Sequence, residues 1–441
     1  VRQIIAALLA SLSSLALAAC APVIPAPAQA RPTVARAAEA AAPGHTWIVA
    51  DGAAIVAALP ALPEPLPVAP NAPADPTGLD AWAEPASAWM TEALHAIVAD
   101  STRPAHAARA LMLLSVALAD GLAVGEQARA AGAAVSDDAL LAEAAGRLLA
   151  YTHPARGAAA ATLAEGAAWA GLWRGAATVG GVLNGRQIGA AVADRVIAWG
   201  ARDGSLDMKL DVGLPAAGPG VWAPTGPALD RPELPGWGSV RTVAIGEAAS
   251  LRAPAPPPWE SPKMRATYAA FVQAQRGLSQ ADEALARRWA GGPGTVTPPG
   301  IWVEIGRDLI ARHRLATPAA ARVYAALGVA LHDSAVACWE SKFTYWLVRP
   351  QQAMVATNPA WQPLLKTPPH PAYPSGHATF SGAASALLGA LFPADAAQLD
   401  QWAEEAARSR VLGGIHWPID GAAGLAQGRA VAERVLARLG Q

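Results

Sequence analysis

Apolar residues recur at helical spacing along most of the chain, and the polar and Pro/Gly positions between them mark where helices stop. The stretch Ala108-Arg109-Ala110-LMLLS-Val116-Ala117-Leu118-Ala119-Asp120 shows this pattern. It returns at a constant offset as Ala321-Arg322-Val323-YAALG-Val329-Ala330-Leu331-His332-Asp333. The repeat predicts a duplicated helical bundle, although two Ala-rich helices can resemble each other through composition alone. Only the second copy runs on into Lys342. Helical patterns also cover 263–289 and 302–312, with a break at Gly291–Gly300. Pro318 suits the first turn of a helix running towards Arg349. Between about Asp203 and Pro262 the chain is rich in Pro, Gly and Trp, and repeated Pro forbids long helices there. So many Trp residues argue against a disordered linker, so this stretch reads as an irregular crossover wrapping the bundles. The organisation is thus a helical half over 45–202, the crossover over 203–262 and a second helical half over 263–441.

The first residues follow a different pattern. Arg2 precedes the apolar run IIAALLASLSSLALAA, which ends in Leu17-Ala18-Ala19-Cys20. This reads as a lipoprotein-type signal peptide over 1–19, cut before a lipidated Cys20. A cut after Ala28-Gln29-Ala30 and an uncleaved anchor are the alternatives. Residues 20–44 are Ala/Pro-rich and read as a disordered tether. The expected location is exported: periplasmic, or tethered to the outer membrane, with a possible N-terminal lipid anchor as the only membrane contact.

Composition sharpens the fold class. The 441 residues are 53% hydrophobic but only 6% aromatic and 15% charged, with abundant Ala, which favours an all-α fold. The formal net charge of -1 argues against a nucleic-acid partner. Cys20 and Cys338 are the only cysteines, so disulfides do not hold the fold if Cys20 is lipidated. Cys338 falls in an apolar helix pattern and reads as a small core residue.

Three C-terminal segments carry the chemistry. They are Lys342-FTYWLV-Arg349-Pro350, Pro374-Ser375-Gly376-His377, and Ser409-Arg410-VLGGI-His416-WPI-Asp420. ATFSGAASALLGALF follows His377 with helical spacing, so the second segment falls at a helix N-terminus, a ready anion site. There Gly376 permits close approach of the backbone, Ser375 can donate its hydroxyl, and His377 can act as acid or base. His416 and Asp420 share a face if a helix starts at Pro418, and the carboxylate can then orient the imidazole. Lys342, Arg349 and Arg410 can offset the charge of a tetrahedral oxyanion, phosphate or vanadate. Taken singly, each residue has a plain alternative: a snorkelling arginine, a core or surface histidine, a serine N-cap. The joint spacing is what points to one site.

Together these segments resemble the signature of the vanadium-dependent haloperoxidase / type-2 phosphatidic acid phosphatase superfamily. The resemblance implies an all-helical fold built on four-helix bundles, two of which pack together in the haloperoxidase branch. It implies that Lys342, Arg349 and Arg410, with Ser375 and the Gly376 N–H, bind oxyanion oxygens. His416 would bond the vanadium of a vanadate cofactor, or attack phosphorus to form a phosphohistidine. His377 would activate peroxide or protonate a leaving alcohol, and Asp420 would orient His416. The long N-terminal half, the Trp-rich crossover, Trp339 and the run PLLKTPPHPAYPSGH are similar to the haloperoxidase branch. His370 sits where bromide-oxidising members carry His, so His370 and Trp339 are candidates for a halide pocket favouring bromide or iodide. Only thirty-one residues separate His377 from Ser409, an interval closer to the phosphatases. The expected partners are therefore peroxide and halide, or a phosphate ester for an exported acid phosphatase. An oxyanion binder without turnover is the remaining reading.

Overall fold

A computed structural model describes residues 45–71, 84–209, 211–224 and 231–440. The signal peptide and tether expected over 1–44 lie outside the described residues. In chain order the helices are α1 (Gly52–Ala57), α2 (Pro85–Ala99), α3 (Pro104–Ala130), α4 (Asp137–Thr152), α5 (Gly157–Ala168), α6 (Ala170–Trp173) and α7 (Val179–Gly200). There follow α8 (Pro262–Gln275), α9 (Gln280–Arg288), α10 (Thr297–His313), α11 (Thr317–Tyr345), α12 (Pro350–Val355), α13 (Gly376–Leu391), α14 (Ala396–Leu412) and α15 (Pro418–Leu439). The fold is all-α. Among the described residues the only β-type pairing is an isolated antiparallel bridge, Val221 to Leu347.

Helices α3, α4, α5 and α7 pack as one bundle, and α11, α13, α14 and α15 as a second. The two meet along α3 and α11, the helices that carry the sequence repeat. Their crossing is so close that a Cβ on Gly328 would lie 2.3 Å from Ser115 Oγ. Ser115 and Gly328 are equivalent positions of the repeat, so the crossing lies at its pseudo-twofold axis. An 18-residue window of α3 has a mean hydropathy of 1.7, high enough for a membrane span, and is wholly buried by this packing.

Each repeat helix ends its shared pattern in a buried aspartate with the same task. Asp120 accepts the N–H groups of Trp47, Ile48 and Val49 at 2.7–2.9 Å. Asp333 accepts those of Val243, Ala244 and Ile245 at 2.7–3.1 Å. Successive N–H groups curled round one carboxylate satisfy a charge that burial would otherwise make costly. Arg438 of α15 ties the two loops together by donating to the carbonyls of Val243 and Trp47.

Among the described residues from Ala201 to Ser261 the only helical elements are the 3-10 turns Trp237–Ser239 and Ala248–Leu251. This crossover straps the segment that enters the site. Trp222 donates to Trp346 O (2.7 Å), Val348 to Gly220 O (2.9 Å), and Gln352 Nε2 to Val221 O (2.9 Å).

Candidate functional site

The sequence places Lys342 and Arg349 on one helix, and here the structure differs. Helix α11 stops at Tyr345, with Trp346 left-handed at φ 49°. Arg349 is extended because a proline follows it, and it is the N-cap of α12. The break swings Arg349 off the axis of α11 and aims its guanidinium at the next two segments. His416 likewise precedes its helix, since α15 begins at Pro418 with Trp417 as N-cap. Asp420, in the first turn, reaches back: its Oδ2 accepts from Trp417 N–H and meets His416 Nδ1, both at 2.9 Å. The expected His–Asp contact thus arises from a capping turn.

Ser375 caps α13, and its Oγ accepts from Ala378 N–H at 3.5 Å, which leaves the hydroxyl hydrogen to donate. The Ser375 N–H donates to Asp420 O (2.9 Å), locking the starts of α13 and α15 together. Their approach requires glycine, because a Cβ on Gly424 would fall 2.6 Å from Ser375 O. On Gly376 a Cβ would instead meet the Trp339 indole at 3.6 Å, ordinary contact, so that ring forms a wall beside the helix start. Trp339 also packs on His370, with ring centroids 5.1 Å apart.

All three cations are buried, with exposures of 0% for Lys342 and Arg349 and 1% for Arg410. Lys342 Nζ donates to the carbonyls of Pro371 (2.9 Å), Ala372 (2.9 Å) and Pro374 (2.5 Å), which uses its three N–H groups. Arg349 donates to His370 O, Ile415 O, His416 Nε2 and His370 Nδ1, and so keeps one of its five N–H groups. Arg410 donates to Ser409 Oγ and Ala286 O, and keeps three. Among the described residues none of the three has a carboxylate at ion-pairing distance. Burial alone lowers Arg410 to about 9. Burial lowers Lys342 to about 7, with Cys338 and Asp420 pulling it up and Arg349 pushing it down, and lowers Arg349 to about 10 against the upward pull of Asp420, Cys338 and Glu233.

The same contacts fix the histidine tautomers. Arg349 can only donate, so His416 Nε2 is an acceptor, whereas His370 Nδ1 stands between Arg349 Nη2 at 3.0 Å and the Pro371 carbonyl at 3.3 Å. His416 therefore carries its proton on Nδ1, towards Asp420. His377 Nε2 faces Ala290 O at 3.2 Å and must donate there, which leaves its Nδ1 as the basic nitrogen. Burial, and then the neighbouring guanidinium charges, hold all three histidines well below the usual range, so they are neutral. Burial pushes Asp420 up to about 7, against the pull of Trp417 N–H, Lys342 and Arg349. Its Oδ1 is buried without a partner.

Residues 322–401 match the family model of the VCPO second helical-bundle domain. In solved structures, a bacterial vanadium-dependent iodoperoxidase superposes with a TM-score of 0.71 at 23% identity, covering 84% of this chain and 98% of that one. The chain has the vanadium haloperoxidase superfamily fold. A holo-type bacterial vanadium-dependent chloroperoxidase is more distant, at TM-score 0.59 and 14% identity over 77% of this chain and 93% of that one. A comparison with curated proteins returns no match.

Within this superfamily fold the structure gathers Lys342, Arg349, Ser375, Gly376, His377, Arg410, His416 and Asp420, with His370 and Trp339 alongside. Sequence reasoning missed the groups that act through the backbone: the carbonyls of Ala286, Ala290, Pro371 and Ala372 carry no side-chain signal. It also missed Glu233. That crossover residue donates its N–H to Pro369 O (2.7 Å) and accepts from Trp339 Nε1 (3.3 Å). Burial raises its carboxyl, and Arg103 and then Arg349 lower it.

Vanadate fits these residues. Among the described residues the three buried cations have no carboxylate at ion-pairing distance, four N–H groups on Arg349 and Arg410 are uncommitted, and one imidazole is fixed with an Nε2 lone pair.

Proposed function

We propose that this chain is a vanadium-dependent haloperoxidase-like enzyme, using peroxide to oxidise halide, with bromide or iodide favoured. The carrying observation is that Lys342, Arg349 and Arg410 are fully buried and, among the described residues, have no carboxylate at ion-pairing distance. An uncompensated buried charge costs several kcal/mol, so the site calls for a polyanion. Arg410 and Arg349 would hold oxyanion oxygens through their open N–H groups, with Ser375 Oγ and Gly376 N–H assisting. Lys342 would contribute mainly charge, because its N–H groups already hold the Pro371–Pro374 turn. His416 Nε2 would bond the metal in exchange for one hydrogen bond to Arg349. Bound vanadate would supply a Lewis-acidic centre at which peroxide is polarised. His377, neutral with Nδ1 free, would take the peroxide proton as general base. Asp420 would hold the His416 tautomer. His370 and Trp339 would form the halide wall.

A second reading keeps the site and assigns acid phosphatase chemistry, favoured by the neutral, Asp-oriented His416, whose unprotonated Nε2 is a competent nucleophile towards phosphorus. The test is peroxide-dependent bromination and p-nitrophenyl phosphate hydrolysis, each with and without orthovanadate. Bromination that needs vanadate is expected. Ester hydrolysis without vanadate, and no halogenation with it, would overturn the first reading. The N-terminal signal further suggests that the enzyme works outside the cytoplasm, as a lipoprotein of the envelope.

A further inference from the structure

The duplication extends beyond the sequence repeat. Helices α4 and α13 are both 16 residues long, and α7 and α15 are both 22. Their starts share one offset of 239 residues, which takes Ser136 to Ser375, Thr178 to Trp417 and Gly185 to Gly424. The contacts repeat as well. Ser136 N–H donates to Gly181 O at 2.9 Å, as Ser375 N–H does to Asp420 O. A Cβ on Gly185 would strike Ser136 O, Leu140 N and the Ala139 methyl, just as one on Gly424 would strike Ser375 O, Thr379 N and the Ala378 methyl.

The N-terminal bundle therefore contains a place equivalent to the oxyanion site, with different residues in it. Arg129 stands where the repeat puts Lys342, Asp137 for Gly376, Asp138 for His377, Gly171 for Arg410, and Ala177 for His416. The electrostatics are reversed: there the cation has acid partners. Arg129 Nη1 donates to Asp137 Oδ1 (2.8 Å) and Arg174 Nη2 to Asp138 Oδ2 (2.7 Å). Asp138 Oδ2 fills the space of the missing arginine, since a Cβ on Gly171 would lie 2.6 Å from it and 3.3 Å from Ser136 Oγ. Both carboxylates sit in the first turn of α4, where a helix favours negative charge. A cleft of about 540 Å³ opens beside them, lined by Arg129, Val135, Ala177, Thr178 and Gly181.

We propose that the N-terminal bundle holds a second oxyanion site occupied by its own chain, with the carboxylates of Asp137 and Asp138 standing in for the ligand. Removing them opens that site to inorganic oxyanions. The inference rests on the oxyanion reading of the C-terminal site, and one titration separates the two. Full-length protein is titrated calorimetrically with inorganic phosphate. The parent chain binds one equivalent, and the Asp137→Gly/Asp138→His variant binds a second. A folded double variant that still binds one equivalent overturns the proposal. A parent chain that binds none overturns the C-terminal reading, and then only a gain in the variant supports this one. Should the double variant not fold, Asp138→Asn preserves shape while removing the charge. Its melting temperature should rise with phosphate by several degrees more than that of the parent, and an equal rise overturns the proposal.

Discussion

The most direct consequence of burying cations without an acid is that anion binding must be linked to proton uptake. Burial brings Lys342 to about 7, against the upward pull of Cys338 and Asp420. An arriving oxyanion favours the ammonium and raises that value again. The sign follows. Below about pH 7 the lysine is already charged and adds no pH dependence of its own. Above it, each bound anion brings one proton, and affinity falls as pH rises. One proton corresponds to about 1.4 kcal/mol per pH unit, so affinity drops roughly 100-fold between pH 7 and 9. Sulfate is a suitable probe, because its own charge is constant over this range. Calorimetry in buffers of different ionisation enthalpy counts the protons directly. In Lys342→Met the affinity at pH 6 should be roughly 10- to 100-fold lower. Its slope above pH 7 should lose the lysine's proton and keep only what Asp420, also pushed up to about 7, contributes. A parent chain with constant affinity to pH 9, or a variant that keeps the parent's slope, would refute the reasoning.

Three further outcomes follow from the site and scaffold. His416→Ala should lower turnover by at least about 10³-fold while circular dichroism shows unchanged helical content, because the imidazole lies outside α15; normal turnover would exclude His416 as the reacting group. Asp420→Asn should cost about 10- to 100-fold in oxyanion affinity or turnover, since the amide can offer its NH₂ to His416 and favour the wrong tautomer; binding and rates equal to the parent's would remove its orienting role. Asp333→Ala strips three N–H groups of their acceptor and should destabilise by about 3 kcal/mol in denaturant titration, with Asp120→Ala matching it; clearly unequal losses would contradict the equivalence of the two loops.

Local chemistry at the site was legible in sequence wherever one segment contains both partners. Ser375 as a cap, the anion-ready start of α13, and the His416–Asp420 contact all depend on residues within five of each other. Arg349 was misplaced because the helix pattern runs smoothly to Val348, and the signal to stop is only Pro350 together with a left-handed Trp346, which no pattern favours. Asp120 and Asp333 were visible as repeat members, but their partners lie 71–73 and 88–90 residues away. The larger duplication was hidden because the first copy has exchanged the residues that would give it away. What persists is glycine where backbones touch and an oxygen-bearing cap at a helix start, too little to register in an Ala-rich chain.

The burial of α3 sets a timing problem for the ribosome. Part of its apolar surface is covered by α11, whose last residue is encoded some 215 codons after the end of α3. At typical synthesis rates the wait is roughly 10–40 s, during which a segment as greasy as a bilayer span lacks that part of its native cover. Nascent chains halted before residue 345 should therefore be retained by holdase chaperones, and chains extended past it released. Equal retention of both would mean that the first bundle shields itself.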